Sequence, residues 1–322
     1  MRRFFAHSVV RRLLGAIGTL LGVSVLVFIM LRAIPGDQIS AGLGTEAAAL
    51  TPAQRASLEA YYGIDQPLLV QYFSWLGNLV TGNLGFSARS QTSVLELTAS
   101  SLPVTMQLAV ISILLALVVG IPLGMLAASR PDSPRDALAQ SVSLAGLSIP
   151  AFLLATTMLT LLAASIGFNP NGRGYASFWE DPSLNLQQML LPSLVLGFGI
   201  AAPIIRTTRT AVLDISSNDF VRTARAKGIL TRRLQFRHVL RNALVPIATM
   251  TGLQFGYLLG GAVVVEQIFS LPGIGRQVLI GIQQKEYALV QSTVLVIALA
   301  FVIVNLLTDL LYRIIDPRVR AE

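Results

Sequence analysis

Leu13 to Leu31 is a run of 19 uncharged residues that follows four arginines, Arg2, Arg3, Arg11 and Arg12. At ~1.5 Å rise per residue, a helix over it extends about 28 Å, close to the roughly 30 Å hydrocarbon thickness of a bilayer. Few features constrain a fold more, because backbone in hydrocarbon must satisfy its own N–H and C=O groups, and a single segment does so only as a helix. A cleaved signal peptide would have a shorter apolar core and a small-residue cleavage site. Here Arg32-Ala-Ile-Pro-Gly36 follows, so the run reads as a retained span. Further charge-poor windows lie at about 101–128, 140–166, 189–210, 247–266 and 287–309, which makes six spans. The fourth is the weakest, since Pro192 and Pro203 both interrupt it.

Composition agrees. With 53% hydrophobic and 12% charged residues, the chain is too apolar for a soluble globule and has too few charges to coat one. It reads as an all-α polytopic membrane protein. There is no cysteine, so neither a disulfide frame nor a thiolate metal site is available. His7 and His238 are the only histidines, which leaves an imidazole-based metal centre without ligands. A phosphate-cradling loop needs Lys followed by Ser or Thr. The two lysines are Lys227, followed by Gly, and Lys285, followed by Glu. No paired carboxylates, nucleophile elbow or zinc-binding H-E-x-x-H appear either, so no catalytic residue, metal ligand or cofactor site is assigned to this chain. Transport or signalling remains, with any energy source on a partner.

Charge then orients the spans. Residues 206–241 hold nine of the 24 basic residues against two acids, Asp214 and Asp219. Short loops rich in Lys and Arg stay on the cytoplasmic side. Six spans with both termini cytoplasmic make 1–12, 129–136, 206–241 and 313–322 the inner segments, and these carry 18 of the 24 basic residues. The resulting organisation is a cytoplasmic amino terminus and first span (1–34), an extracytoplasmic helical segment (35–100), a five-helix core (101–313) interrupted by the basic loop (206–246), and a cytoplasmic tail (314–322).

The basic loop has internal structure. Asp219-Phe-Val-Arg-Thr-Ala-Arg-Ala-Lys-Gly228 reads as a short helix with Asp219 placed to cap it and Gly228 to end it in a left-handed turn. A second basic helix begins at Thr231 and runs into Asn242-Ala-Leu-Val-Pro246. A strip lying on anionic headgroups needs no such stop and restart; a docking element for another protein does. On the outer side, Thr51-Pro52 starts one helix, and Pro67 opens another that ends near Gly82, either a cap above the membrane or a helix in the interface plane. Pro272 and Gly273 are spaced for a type II turn, with a short helix over 274–286 beyond it. Asp309 and Arg313 are four apart near the inner end of the last span and read as a boundary pair, with a transport-site acid at Asp309 as the alternative.

At these residues the chain resembles the permease subunits of binding-protein-dependent ABC importers, in the dipeptide/oligopeptide/nickel branch. The likeness is carried by Val221-Arg-Thr-Ala-Arg-Ala-Lys-Gly228 with Arg237-His-Val-Leu-Arg-Asn-Ala-Leu-Val-Pro246. It extends to Ala33-Ile-Pro-Gly-Asp37, Tyr62-Gly-Ile-Asp-Gln-Pro67, Gly82-Asn-Leu-Gly85, Glu266-Gln-Ile-Phe-Ser-Leu-Pro-Gly-Ile-Gly275 and Asp316-Pro-Arg318. The wider family's loop begins Glu-Ala-Ala where this chain has Arg222, Thr223 and Ala224, a substitution common in the peptide branch. Gly82-Asn stands where Gly-Asp is more usual.

The resemblance implies a type I importer transmembrane fold in the plasma (inner) membrane of a prokaryote. Its partners would be a second homologous permease, two ATPase subunits holding ATP and Mg²⁺, an extracytoplasmic substrate-binding protein and membrane lipids, with no nucleic acid. Asp219, Arg222, Thr223, Ala224, Arg225, Ala226, Lys227 and Gly228 would form the coupling site for an ATPase. Gln107, Ser148, Gln254 and Asn305 are the polar candidates for the translocation path. Short peptides are the expected cargo, nickel or another small solute the alternative. A self-contained secondary carrier would want inverted repeats and midplane acids, neither evident here.

Overall fold

The structure is a computed structural model and describes residues 2–33, 39, 48–87, 89–170, 172 and 174–315. The Ala33–Asp37 motif beyond Ala33, the Asp316–Arg318 motif, and the side chains of Asp309 and Arg313 lie outside what is described. In chain order the helices are α1 (Arg2–Ala33), α2 (Pro52–Tyr62), α3 (Leu68–Val80), α4 (Val94–Ser129), α5 (Pro134–Ser148), α6 (Ala151–Ile166), α7 (Pro182–Ser216) and α8 (Asp219–Ala226). There follow α9 (Thr231–Leu234), a π-helical turn (Gln235–Val239), α10 (Leu240–Ile268), α11 (Ile274–Gln283) and α12 (Tyr287–Ile315). A two-stranded hairpin, β1 (Phe86–Ser87) and β2 (Thr92–Ser93), precedes α4.

Among the described residues, four unbroken helices are long and apolar enough to cross a membrane: Arg12–Ala33, Val94–Ser129, Pro182–Ser216 and Tyr287–Thr308. The other two expected spans are bent, α5 against α6 by 97° and α10 by 55° between Leu258 and Gly260. Counting each bent pair as one span gives six. The first bend has a local cause, since Pro150 drives the residue before it out of the helical region, and Ile149 takes φ −83°, ψ 116°. The second falls at Gly260-Gly261, where two residues without side chains weaken the helix.

Contacts divide the chain into two compact units, Val104–Pro272 with Ile303–Glu322, and Met1–Pro103 with Gly273–Val302. The first is built around α7. The fourth span, the least certain in the sequence because of Pro192 and Pro203, is formed: α7 runs unbroken through both prolines for 35 residues, and 72% of its most apolar stretch is buried. Neighbouring helices enclose it and hold it straight. In hydrocarbon, helices gain little by hiding apolar surface and associate through close packing, so small residues mark the contacts. A Cβ on Gly120 would stand 2.7 Å from Ile204 Cγ2, and one on Gly124 2.6 Å from Thr208 Cβ, so α4 and α7 meet backbone to side chain. Gly146 brings α5 equally near, its Cβ position 2.9 Å from the Phe198 carbonyl oxygen. Ser143 on α5 donates to the Ala202 carbonyl of α7 at 3.0 Å.

The second unit joins α1, α3, the hairpin, α11 and the start of α12. Thr51 caps α2 through a reciprocal capping box with Gln54, and Gly63 ends it at φ 65°. Along α1, Ser24 Oγ meets Tyr72 Oη at 2.8 Å, Phe28 meets Tyr72 edge-on and stacks with Trp75, and Arg32 donates twice to Gln71 Oε1. Leu76 and Leu79 share a cavity with Ile17, Leu20 and Leu21. This register sets α3 antiparallel to the carboxyl-terminal half of α1. It therefore packs along that half of α1. Ser87 Oγ and the Arg89 N–H donate to the Glu286 carboxylate, which pins the hairpin to the α11–α12 junction.

The type II turn expected at Pro272-Gly273 is not formed. Gly273 has φ −85° and serves as the N-cap of α11. Ser270 takes the left-handed conformation instead, at φ 52°. Its N–H bonds to the Gln267 carbonyl and that of Leu271 to the Glu266 carbonyl, so the chain reverses one step earlier, as a Schellman stop to α10.

Candidate functional site

The basic loop opens where α7 ends. Asn218 is the N-cap of α8 at φ −70°, ψ 148°, and no side chain closes the cap. The capping role expected of Asp219 is thus corrected. Asp219 is the first helical residue, where its charge complements the positive end of the helix dipole, and its carboxylate stands 3.5 Å from Arg222 NH1 on the surface. The other end matches the expected geometry: Gly228 has φ 77°, the Gly228 N–H bonds to the Arg225 carbonyl and the Ile229 N–H to the Ala224 carbonyl. This Schellman motif needs a residue at ease with positive φ, which is what glycine supplies.

Burial splits α8 into two faces. Val221 is 1% exposed and packs with Ala211, Val212, Leu234, Val239, Ala243 and Ile247, with Ala224 and Ile229 against the same cluster. Asp219, Arg222, Thr223, Arg225, Ala226, Lys227 and Gly228 are exposed. The sequence-derived set therefore comes together on one short helix and its C-terminal stop, seven of the set's eight residues outward and Ala224 on the anchoring face. Three apolar side chains stand out among the cations, Phe220 at 46%, Leu230 at 77% and Phe236 at 56% exposure. A reading based on charge passed over them. Their signal is the position of Phe220 beside the one buried residue of the helix, Val221.

One of the nine cations is committed internally. Arg209 Nε and NH2 donate to the two carboxylate oxygens of Asp136 at 2.8 and 2.7 Å, a bidentate pair. Asp136 also accepts from the Asp132 N–H and from Gln140 Nε2. The first turn of α5 is thereby fixed to the inner part of α7. The remaining eight basic residues of the segment are exposed, Arg222 beside Asp219 among them.

The four polar candidates for a translocation path sit on four helices, and among the described residues no hydrogen bond joins any two of them. Gln107 donates to Asn185 Oδ1 at 2.5 Å, while Asn185 donates to Tyr175 Oη and the Ala176 carbonyl, so Gln107 belongs to a bracket at the start of α7. Ser148 is exposed at the α5–α6 bend, and Gln254 and Asn305 are half-buried. Glu266, read in the sequence only as part of a motif, is fully buried in α10 and accepts from Thr105 Oγ1 at 2.5 Å.

The family model described as "Binding-protein-dependent transport system inner membrane component" matches residues 120–321. The chain belongs to this family. Residues 1–109 match a second model, "Binding-prot-dependent transport system membrane comp, N-term". The permease is 38% identical over 317 residues to the glutathione transport system permease protein GsiC of Escherichia coli strain K12, covering 98% of this chain and 99% of that one. It is 37% identical over 317 residues to the oligopeptide transport system permease protein AppB of Bacillus subtilis, with the same coverage. Among solved structures it resembles a chain of the inward-facing MetNI methionine ABC transporter, at TM-score 0.54 and 16% identity over 68% of this chain and 96% of that one. The fold is accordingly that of a type I importer transmembrane domain. The permease is an inner-membrane transport subunit, not itself an enzyme, and works with an ATPase and a substrate-binding protein.

Proposed function

We propose that this permease forms half of the translocation pathway of an ATP-driven importer of short peptides, with a second homologous permease as the other half and two ATPase subunits beneath the pair. The single observation that carries the reading is the exposed cationic and aromatic face of α8, hung on a buried apolar anchor. Such a helix suits a groove on a partner: Val221 ties it to this chain, while Arg222, Arg225, Lys227 and Phe220 face outward to be held. ATP and Mg²⁺ reside on the partner chains, and closure of the ATPases swings the pathway from inward-facing to outward-facing. Both termini and the basic loop lie on the cytoplasmic side. The peptide cargo is supported by the transport names of relatives 38% and 37% identical over nearly the whole chain.

The test is reconstitution of the co-purified complex in proteoliposomes with labelled dipeptide, glutathione or Ni²⁺ as cargo. ATP-dependent uptake of peptide by the complex is expected, and no ATP hydrolysis by this chain alone. Arg225→Glu should reduce retention of the ATPase on the permease by about tenfold, with a strong salt dependence. Uptake of Ni²⁺ without peptide would replace the cargo, and hydrolysis by the isolated chain would overturn the reading.

A further inference from the structure

Beside α1 lie two adjoining cavities of opposite character, both within one compact unit. The apolar one, about 310 Å³, runs between Ile17, Leu20 and Leu21 of α1, Leu76 and Leu79 of α3, and Leu295, Val296 and Leu299 of α12. The polar one, about 700 Å³, is lined by Arg32, Gln71, Trp75, Asn78 and Gln291 among others. Leu84 borders both. Depth separates them. From Ser24 to Arg32 is about 12 Å along a helix, so the apolar cavity lies at hydrocarbon level and the polar one where the uncharged run of α1 ends.

Among the described side chains lining the polar cavity, the buried polar atoms left unpartnered are both N–H donors. Trp75 Nε1 and Gln291 Nε2 are buried, and among the described residues neither has a hydrogen-bond partner. Gln291 is 2% exposed. Arg32 donates to Gln71 Oε1 and to the Phe28 carbonyl, and no described carboxylate pairs with it. A buried N–H without an acceptor is costly, and a guanidinium at the edge of hydrocarbon is ordinarily matched by an anion. Both deficits are met by one group rich in anionic oxygens, provided that its other end is apolar enough to fill the groove below.

We propose that these cavities form a binding site for one anionic phospholipid. Its phosphate takes up Arg32 and, after small rotations of their side chains, the N–H groups of Trp75 and Gln291. One acyl chain lies along α3 between α1 and α12. The site depends on the membrane setting of α1 and α12 and is independent of the cargo.

Trp75 and Trp179 are the two tryptophans of the chain, and Trp179 is 90% exposed, so Trp179→Phe leaves Trp75 as the one indole reporter. The full-length variant is placed in phosphatidylcholine nanodiscs containing a small fraction of lipid with brominated acyl chains, which quench a nearby indole. Brominated phosphatidylglycerol should quench Trp75 at a mole fraction at least about fivefold lower than brominated phosphatidylcholine does. Arg32→Gln should abolish that preference. Gln291→Leu removes an unpartnered donor without breaking a bond, so it should fold normally and weaken the preference. Equal quenching by the two lipids, in chains that include folded Gln291→Leu, would mean an ordinary lipid annulus and overturn the proposal. A saturable change in Trp75 emission with a dipeptide or inorganic phosphate that phosphatidylglycerol does not displace would overturn it in favour of a soluble anion.

Discussion

Asp136 and Arg209 stand 73 residues apart and share two hydrogen bonds of 2.8 and 2.7 Å, with the carboxylate side chain 2% exposed and the guanidinium 23%. Removing one partner of a pair so enclosed leaves the other charge without compensation, which costs more than the pair contributes when intact. Asp136→Ala should therefore lower the thermal midpoint of the detergent-solubilised permease by roughly 5 °C. The swapped variant, Asp136→Arg with Arg209→Asp, should recover part of the loss. Equal midpoints for Asp136→Ala and the parent chain would show that the pair does not hold α5 to α7.

Gly228 tests the proposed coupling role of α8. A Cβ there would meet nothing within 4 Å, so any penalty is one of backbone conformation and not of space. Gly228→Val should cost about 1–3 kcal/mol locally. It should abolish substrate uptake by the reconstituted complex and leave membrane insertion unchanged, while Gly228→Asn, which tolerates the left-handed region, should keep most of it. Uptake measured at matched permease levels decides the matter. Valine transporting as well as glycine would return the loop to a lipid-binding strip.

Close packing makes a contrasting prediction at Gly124. Its Cβ position is 2.6 Å from Thr208 Cβ and 2.7 Å from the Ile205 carbonyl oxygen, whereas that of Gly18 has open space around it. Gly124→Ala should destabilise the permease by about 1–3 kcal/mol through overpacking, and Gly18→Ala should be silent. Parallel thermal denaturation of the two proteins would expose an error in the α4–α7 interface if they unfold together.

Orientation is accessible because the chain has no cysteine of its own. Cysteines introduced at Ser57 and Ser177 should react with an impermeant thiol reagent applied to intact cells, and one at Thr231 should react only after lysis. Labelling of Thr231→Cys from outside would invert the arrangement and detach α8 from any cytoplasmic ATPase.

Much of this was legible in the sequence, for reasons that differ by element. The spans announce themselves because a single segment crosses hydrocarbon only as a long apolar helix. Gly228 was readable because left-handed backbone has few tenants. What failed depended on neighbours that a linear string does not display. Pro192 and Pro203 left the fourth span uncertain in the sequence; α7 is enclosed and stays continuous, while Pro150, at a less buried junction, produces the 97° bend. Likewise, Gly273 appeared to be the turn residue, but Ser270 accepts the strained φ because two backbone hydrogen bonds there close α10. Arg209 read as one more free cation, since nothing in its own segment points to Asp136. Gln107 read as a pathway residue, and its engagement with Asn185 became visible only when α4 met the start of α7.

The cluster around Val221 has a mechanical meaning. It gathers Ala128 of α4, Ala211 and Val212 of α7, Leu234 of α9, Val239 of the π-helical turn, and Ala243 and Ile247 of α10. A force applied to α8 is therefore not absorbed by a slack tether. It is delivered to three membrane helices through close-packed side chains, which resist compression and do not slide independently. Under the proposed coupling the loop would work as a crank, its throw set by the stiffness of that small apolar joint. Val221→Ala, which loosens the joint without touching a charge, would leave the ATPase attached and turning over while the pathway fails to follow.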